Sequence, residues 1–180
     1  MRVVIGVTGA SGQIYARDLI KKIRSIEGVD SEMVFTDTAC EVYRDETREE
    51  PPYPLTPNDS YFNRNASGSN SADVMIIIPC TMGTIGRIAS GATSDLISRI
   101  ADVQLKERKK LIICPRETPL SLIHLRNLTT LTEAGAIIAP ASPSYYNHPQ
   151  TLSDLSEYFT ARILDIAGVK PLDSELRWGE

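Results

Sequence analysis

The sequence has no closely spaced cysteines, few histidines, no excess of positive charge and no long apolar run. Each absence removes a class of protein. Cys40, Cys80 and Cys114 are three cysteines far apart, with no CxxC among them. An odd, scattered set is neither a disulfide framework nor a zinc pattern, and reduced thiols fit a cytoplasmic protein. His124 and His148 are the two histidines, and neither has a carboxylate or second histidine at ligand spacing, so no metal site is expected. Lys and Arg number 19 against 23 Asp and Glu, a net charge of −4. That balance speaks against a general nucleic-acid binder but leaves room for a small anion held by a few cations. No apolar run approaches the roughly 20 residues that span a bilayer. The opening Met1-Arg2-Val3-Val4-Ile5-Gly6 has neither the length nor the cleavage site of a signal peptide. A soluble cytoplasmic protein is the expectation. Ser11 is not in a GxSxG elbow. Gly6, Gly9 and Gly12 do not make the GxGxxG fingerprint, and no acidic residue closes the second strand.

What is present is an ordinary globular mixture, 42% apolar and 23% charged over 180 residues, enough for one domain with a real core. Strand-like stretches alternate with helical ones. Residues 2–8 read as a buried strand, 9–12 as a glycine turn, and 13–26 as a helix with Ala16, Leu19, Ile20 and Ile23 on its core face. Strands are expected at 31–36, 73–79, 111–114 and 136–139, and helices at 37–47, 82–90, 94–108, 121–134 and 152–167. The 73–79 segment is apolar on both faces, as a central parallel strand requires. Gly135 reads as the C-terminal cap of the helix before it. The prolines and Ser67-Gly68-Ser69 make 48–71 a long loop, of the kind that is functional or mobile, and no clear structure is expected at the end of the chain, about 170–180. The pattern predicts a single α/β domain over residues 1–180, with a mostly parallel sheet flanked by helices. In such sheets ligands sit beyond the carboxyl ends of the strands, which points at 9–12, 36–37, 80–84 and 115–118.

Those segments hold suitable groups. Gly9-Ala10-Ser11-Gly12 can bring backbone N–H groups and a helix N-terminus to a phosphate or ring edge, or can be a simple tight turn. Cys80-Thr81-Met82-Gly83-Thr84 opens a helix with two hydroxyls, and Thr81 serves equally as a cap. Arg99 and Lys106 share a helix face, Arg116 follows a strand, and Arg162 borders an apolar stripe of Leu155, Phe159, Ile163 and Ile166. A cation at such an edge needs a partner, either a phosphate or a carboxylate such as Glu133. The four cations together favour a phosphate site. Glu117 is a candidate acid–base group at the sheet edge. Glu46, among Asp45, Glu49 and Glu50, is another candidate or part of a solvated face.

Ordered motifs run through the chain: Thr8-Gly9-Ala10-Ser11-Gly12, Pro79 to Thr84, Ile88 to Gly91, Arg99 to Val103, Leu105 to Arg108, Pro115 to Leu120, His124-Leu125, Gly135-Ala136, Tyr145 to Gln150 and Arg177-Trp178-Gly179. Together they resemble the UbiX-type flavin prenyltransferase family, most weakly over 47–64. The resemblance implies a flavodoxin-like or Rossmann-like sheet that binds FMN. It assigns flavin contacts to Gly9, Ala10, Ser11, Thr36, Thr81, Met82, Gly83, Thr84 and Arg116. It assigns dimethylallyl phosphate contacts to Tyr146 and Arg162, with Ser67, Gly68, Arg99 and Lys106 around the same phosphate. Glu46 and Glu117 match its acidic positions, and Ser11 and Lys106 join them as catalytic candidates. Thr36 and Thr81 keep a hydroxyl where relatives often have Ser, and Gly83 stands where some have Lys.

The implied reaction moves a dimethylallyl group from dimethylallyl monophosphate to N5 and then C6 of reduced FMN. The prenylated FMN formed would serve a UbiD-type decarboxylase. Cations and the Tyr146 hydroxyl would stabilise the departing phosphate, with no metal, and Tyr61 or Trp178 could face the allyl cation. The family also implies a dodecamer with sites where subunits meet. An FMN-dependent cysteine decarboxylase is the nearest rival, but its Pro-x-Met-Asn motif and early histidine are missing. A non-catalytic flavin-binding subunit would have no need of a second phosphate site.

Overall fold

The computed structural model describes residues 1–171 and 173. Its elements run β1 (Arg2–Val7), α1 (Gln13–Arg24), β2 (Asp30–Phe35), α2 (Asp37–Thr47), β3 (Thr56–Pro57), β4 (Val74–Cys80), α3 (Met82–Ala89), α4 (Leu96–Lys106), β5 (Lys110–Pro115), α5 (Leu122–Glu133), β6 (Ile137–Ile138) and α6 (Leu152–Ala167). All strand pairs are parallel, in the order β3-β2-β1-β4-β5-β6. The expected α/β sheet is therefore present, and the chain reverses direction across it between β1 and β4, where such sheets open a crevice.

Alternation along β1 builds two cores. Val3, Ile5 and Val7 face α1, α2 and α6, where Leu19, Tyr43 and Ile163 are buried. Val4 faces the other way, with Met75, Ile77, Ile97, Ile100 and Leu131. β4 is buried at every position, as its unbroken apolar run requires. Gly6 lets α4 approach closely: a Cβ there would lie 3.4 Å from Ile97 Cγ2.

Two expectations need correction. The 48–71 segment is not all loop. Thr56–Pro57 adds an edge strand to the end of β2, and short 3-10 turns form at Arg64–Ala66 and Gly68–Asn70. Two residues have no legible periodicity, and proline is tolerated at an edge. The inner face of α6 is also turned from the expected stripe. Ser156 and Thr160 are fully buried with Phe159 and Ile163, while Leu155 and Ile166 are only half-buried. The rotation is possible because the hydroxyls are satisfied: Ser156 donates to Asp18 at 2.5 Å and Thr160 to the Ser156 carbonyl at 2.8 Å. Among the described residues no helix is long and apolar enough to cross a membrane.

Candidate active site

The loops after β1, β4 and β5 are tied into one rim. Gly12 takes φ 100°, a left-handed conformation that suits glycine, and so starts α1. The Glu46 carboxylate accepts from the amides of Gly12 at 2.9 Å and Gln13 at 2.8 Å. Glu46 is therefore not merely part of a solvated acidic face, because its Oε2 fills the anion position at the α1 N-terminus. Gln13 is wholly buried, and its amide donates to the carbonyls of Thr8 at 2.9 Å and Ala10 at 2.7 Å. Arg116 reaches back to the Ser11 carbonyl at 3.2 Å. Thr8 donates to the Pro79 carbonyl at 3.0 Å and accepts from the Thr81 amide at 2.8 Å. Gly9 packs so close to α2 that a Cβ would stand 2.5 Å from Thr38 Cγ2.

Two further helix N-termini open on this rim. Thr36 caps α2 through the Ala39 amide at 3.1 Å. Thr81 caps α3 through the Thr84 amide at 3.2 Å. The amides of Met82 and Gly83 find no acceptor among the described residues, as the first turn of a helix leaves them. A Cβ on Gly83 would meet nothing nearer than Arg87 Nη1 at 3.8 Å, so the space above this turn is open. Behind it Thr84 Oγ1 lies 3.0 Å from Thr81 Oγ1 and accepts from Arg87 at 3.0 Å. Hydroxyls, unpaired amides and an open cradle fit a flavin phosphate or ring edge. Glu117 is exposed at the end of β5 and accepts from the Thr118 amide at 3.0 Å.

A cavity of about 190 Å³ lies beyond β6, lined in part by Ser144, Tyr146, Tyr158, Phe159 and Arg162. The Ala139 and Ala141 amides bond to the Ile113 and Pro115 carbonyls, which brings one end of the cavity toward the rim that carries Arg116. Arg162 lies further down α6, one turn before Ile166, whose carbonyl accepts from Lys110 at the start of β5. The Tyr15 ring, 4.9 Å from that of Phe159, joins the cavity wall to the start of α1. Tyr158 donates to the Tyr146 hydroxyl at 2.6 Å. That bond above all, and the charge of Arg162, hold the Tyr146 phenol below its usual range. Burial, then its donation to Tyr146, push Tyr158 up. Arg162 pairs with Asp165, one turn along, and its side chain is 55% exposed. The partner is thus not Glu133, and the guanidinium is not a buried charge.

The remaining expected residues lie elsewhere. α4 runs from the rim down to Lys106, so its end sits at the amino edge of the sheet, just before β5 begins at Lys110. Gly68 is beside it, because a Cβ there would lie 2.6 Å from Lys106 Nζ. Arg99 donates to the Ala66 carbonyl at 3.2 Å and to Asp102 at 3.1 Å, and Ser67 lies 3.3 Å from Ser69. Lys106 itself pairs with Glu107. Arg99 and Lys106 thus do not converge with Arg116 and Arg162 inside one subunit. Sequence spacing shows a shared helix face but not which edge of the sheet that face serves.

Tyr61 is half-exposed and donates to the Thr93 carbonyl at 2.9 Å, and Trp178 lies outside the described residues. His124 accepts from the Ser121 amide at 3.3 Å in the cap of α5. Burial pushes the thiols of Cys40, Cys80 and Cys114 up, so none is poised as a nucleophile. Among the described residues no group of carboxylates, histidines and cysteines could hold a metal ion. Gln13, Arg87 and Tyr158 were not singled out in advance, and Thr8 was named only as the first residue of its motif. Gln13 had a legible signal, since an amide on the apolar stripe of α1 must find partners.

The flavoprotein family model matches residues 1–164. The chain is 37% identical to the flavin prenyltransferase UbiX of Methanocaldococcus jannaschii, over 99% of each chain. Among solved structures it is similar to a dodecameric FMN-dependent UbiX-like decarboxylase from Escherichia coli O157:H7, with a TM-score of 0.93 and 34% identity over 100% of both chains. It is also similar to AnUbiX (PadA1) in complex with FMN and dimethylallyl pyrophosphate, with a TM-score of 0.90 and 37% identity over 99% of this chain and 97% of that one.

Proposed function

The chain belongs to the flavoprotein family and, within it, to the flavin prenyltransferases, and on that footing we propose that its rim binds FMN and alkylates it. The protein is an enzyme that transfers a dimethylallyl group from dimethylallyl monophosphate to N5 and C6 of reduced FMN. The observation that carries this reading is a second pocket, lined by Tyr146 and Arg162, that reaches toward the rim of hydroxyl- and amide-lined turns.

In this reading Gly9, Ala10, Ser11, Thr36, Thr81, Met82, Gly83, Thr84 and Arg116 hold the flavin. Reduced FMN supplies the nucleophilic atoms. Arg162 and the Tyr146 hydroxyl bind the prenyl phosphate and stabilise the charge that grows on it as the allylic C–O bond breaks. Oppositely charged and hydrogen-bonding groups fixed beforehand do this without reorganising. Glu117, exposed at the end of β5, takes up a proton near the flavin. Glu46 has one oxygen committed to the α1 amides, and its Oε1 serves the ring-closing proton transfer. Ser11, whose carbonyl accepts from Arg116, orients the flavin edge.

Ser67, Gly68, Arg99 and Lys106 complete the phosphate site of a neighbouring copy, in a dodecamer like that of the Escherichia coli relative. Arg99 and Lys106 on α4, with Ser67 and Gly68 in the turns packed against it, lie across the sheet from the α6 helix that carries Arg162, which supports that arrangement. Leu122 and Ile123, 61% and 69% exposed at the start of α5, add apolar surface of the kind subunit contacts cover. The product would pass to a UbiD-type decarboxylase in the cytoplasm. A cysteine decarboxylase is disfavoured, because His124 is bound into a helix cap and His148 lies in a late turn. The test is to add the flavin released after reaction to a UbiD-type apoenzyme. Restored decarboxylation, absent with FMN alone, supports the reading, and no restoration contradicts it.

A further inference from the structure

We infer that Tyr158 is a positioning residue for the prenyl phosphate, acting through the Tyr146 hydroxyl. The inference rests on the reading of Tyr146 as a phosphate contact. Tyr158 is 7% exposed and lies at the second turn of α6, one turn before Arg162. Its hydroxyl is aimed along the pocket wall, donating to Tyr146 at 2.6 Å. The two rings stand edge to face at 88°, with centroids 5.6 Å apart. Ser144 lines the same cavity as both tyrosines. The charged groups facing the pair are Arg162, on the same helix and paired with Asp165, and the carboxylates of Asp154, Glu157 and Asp173, which line the pocket on the other side of Tyr158.

Two effects follow from this arrangement. Ring contact and hydrogen bond together fix where the Tyr146 oxygen stands, although Tyr146 itself is 43% exposed and sits in a loop. A hydroxyl that accepts a hydrogen bond is also polarised into a stronger donor to its next acceptor. A phosphate oxygen at Arg162 would be that acceptor. The benefit grows as negative charge accumulates on the leaving group, so it falls on the chemical step as well as on binding. Phenylalanine at 158 would keep the ring packing and lose both effects of the hydroxyl.

The test compares Tyr158→Phe, Tyr146→Phe and the double variant, with FMN affinity, KM for dimethylallyl monophosphate, kcat and their pH profiles. Tyr158→Phe should leave FMN affinity unchanged and lower kcat/KM about threefold to tenfold, the range of one net hydrogen bond. It should also move the alkaline limb of kcat/KM to higher pH, because Tyr146 must stay protonated to donate and has lost the bond that depressed its pKa. The double variant should be no worse than Tyr146→Phe alone. Additive losses, or an unmoved alkaline limb in Tyr158→Phe, would overturn the role of Tyr158 while leaving Tyr146 in place. An unchanged KM and kcat in Tyr146→Phe would instead overturn the phosphate reading on which it rests.

Discussion

Oε2 of Glu46 stands 2.9 Å from the amide nitrogen of Gly12 and 2.8 Å from that of Gln13, so a side chain from the end of α2 closes the N-terminus of α1. The same carboxylate therefore shapes the Gly9–Gly12 turn and is available to chemistry beside it. Glu46→Ala should lower stability by about 1 kcal/mol, as loss of a helix cap does, and weaken FMN binding. Glu46→Gln keeps an acceptor for the two amides, so it should retain most of the stability and FMN affinity but slow product formation. Thermal melts and flavin titration of the two variants separate the roles.

Thr84, 2% exposed, links Arg87 to Thr81 beneath the first turn of α3. Thr84→Val preserves shape but removes the bonds to the Arg87 guanidinium and the Thr81 hydroxyl, so a loss of about 1 kcal/mol is expected, with weaker FMN binding. Thr84→Ser should restore most of both. Urea unfolding and flavin titration provide the comparison.

Arg162 on α6 and Lys106 at the end of α4 lie on opposite faces of the sheet and belong, in our reading, to halves of one site on different subunits. Arg162→Ala and Lys106→Ala should each be nearly inactive alone. Co-expressed chains should assemble some sites with both native residues and recover activity well above either homo-oligomer. Recovery no greater than the sum of the separate activities would count against shared sites.

Asp154 Oδ2 accepts from the amides of Gln150 at 2.8 Å and Thr151 at 2.9 Å. These bonds, led by that from Gln150, hold its carboxyl below its ordinary value of 3.8. A depressed pKa contributes stability at pH above the unfolded value, and this is lost as pH falls through the folded one. The Tm difference between the native protein and Asp154→Asn should be constant down to about pH 5 and shrink at lower pH. Because Asp154 anchors the start of α6 next to the Tyr146 loop, the same variant should raise KM for the prenyl phosphate at neutral pH.

Much of this was legible in the sequence. α2 and α6 have the expected bounds, 37–47 and 152–167, because apolar spacing and capping hydroxyls agree at their ends. The rim was legible from the rule that ligands gather beyond strand ends, and the family motifs named its residues. β3 was not, since two residues carry no period. The partner of Arg162 was not, because a contact one turn away on a helix competes equally with distant carboxylates. The separation of Lys106 from Arg162 follows from the packing of α4 and α6 on opposite faces of the sheet, and residue spacing within a helix carries no record of that. Tyr158 was hidden by its ring, which fits an apolar stripe and gives no sign of where its hydroxyl points.

The most direct test of the central claim is mass spectrometry of the flavin released after anaerobic incubation of the protein with FMN, a reductant and dimethylallyl monophosphate. The account predicts a flavin heavier than FMN by one C5H8 unit, formed far more slowly by Glu117→Gln. Recovery of FMN unchanged from protein that binds it tightly would contradict the account.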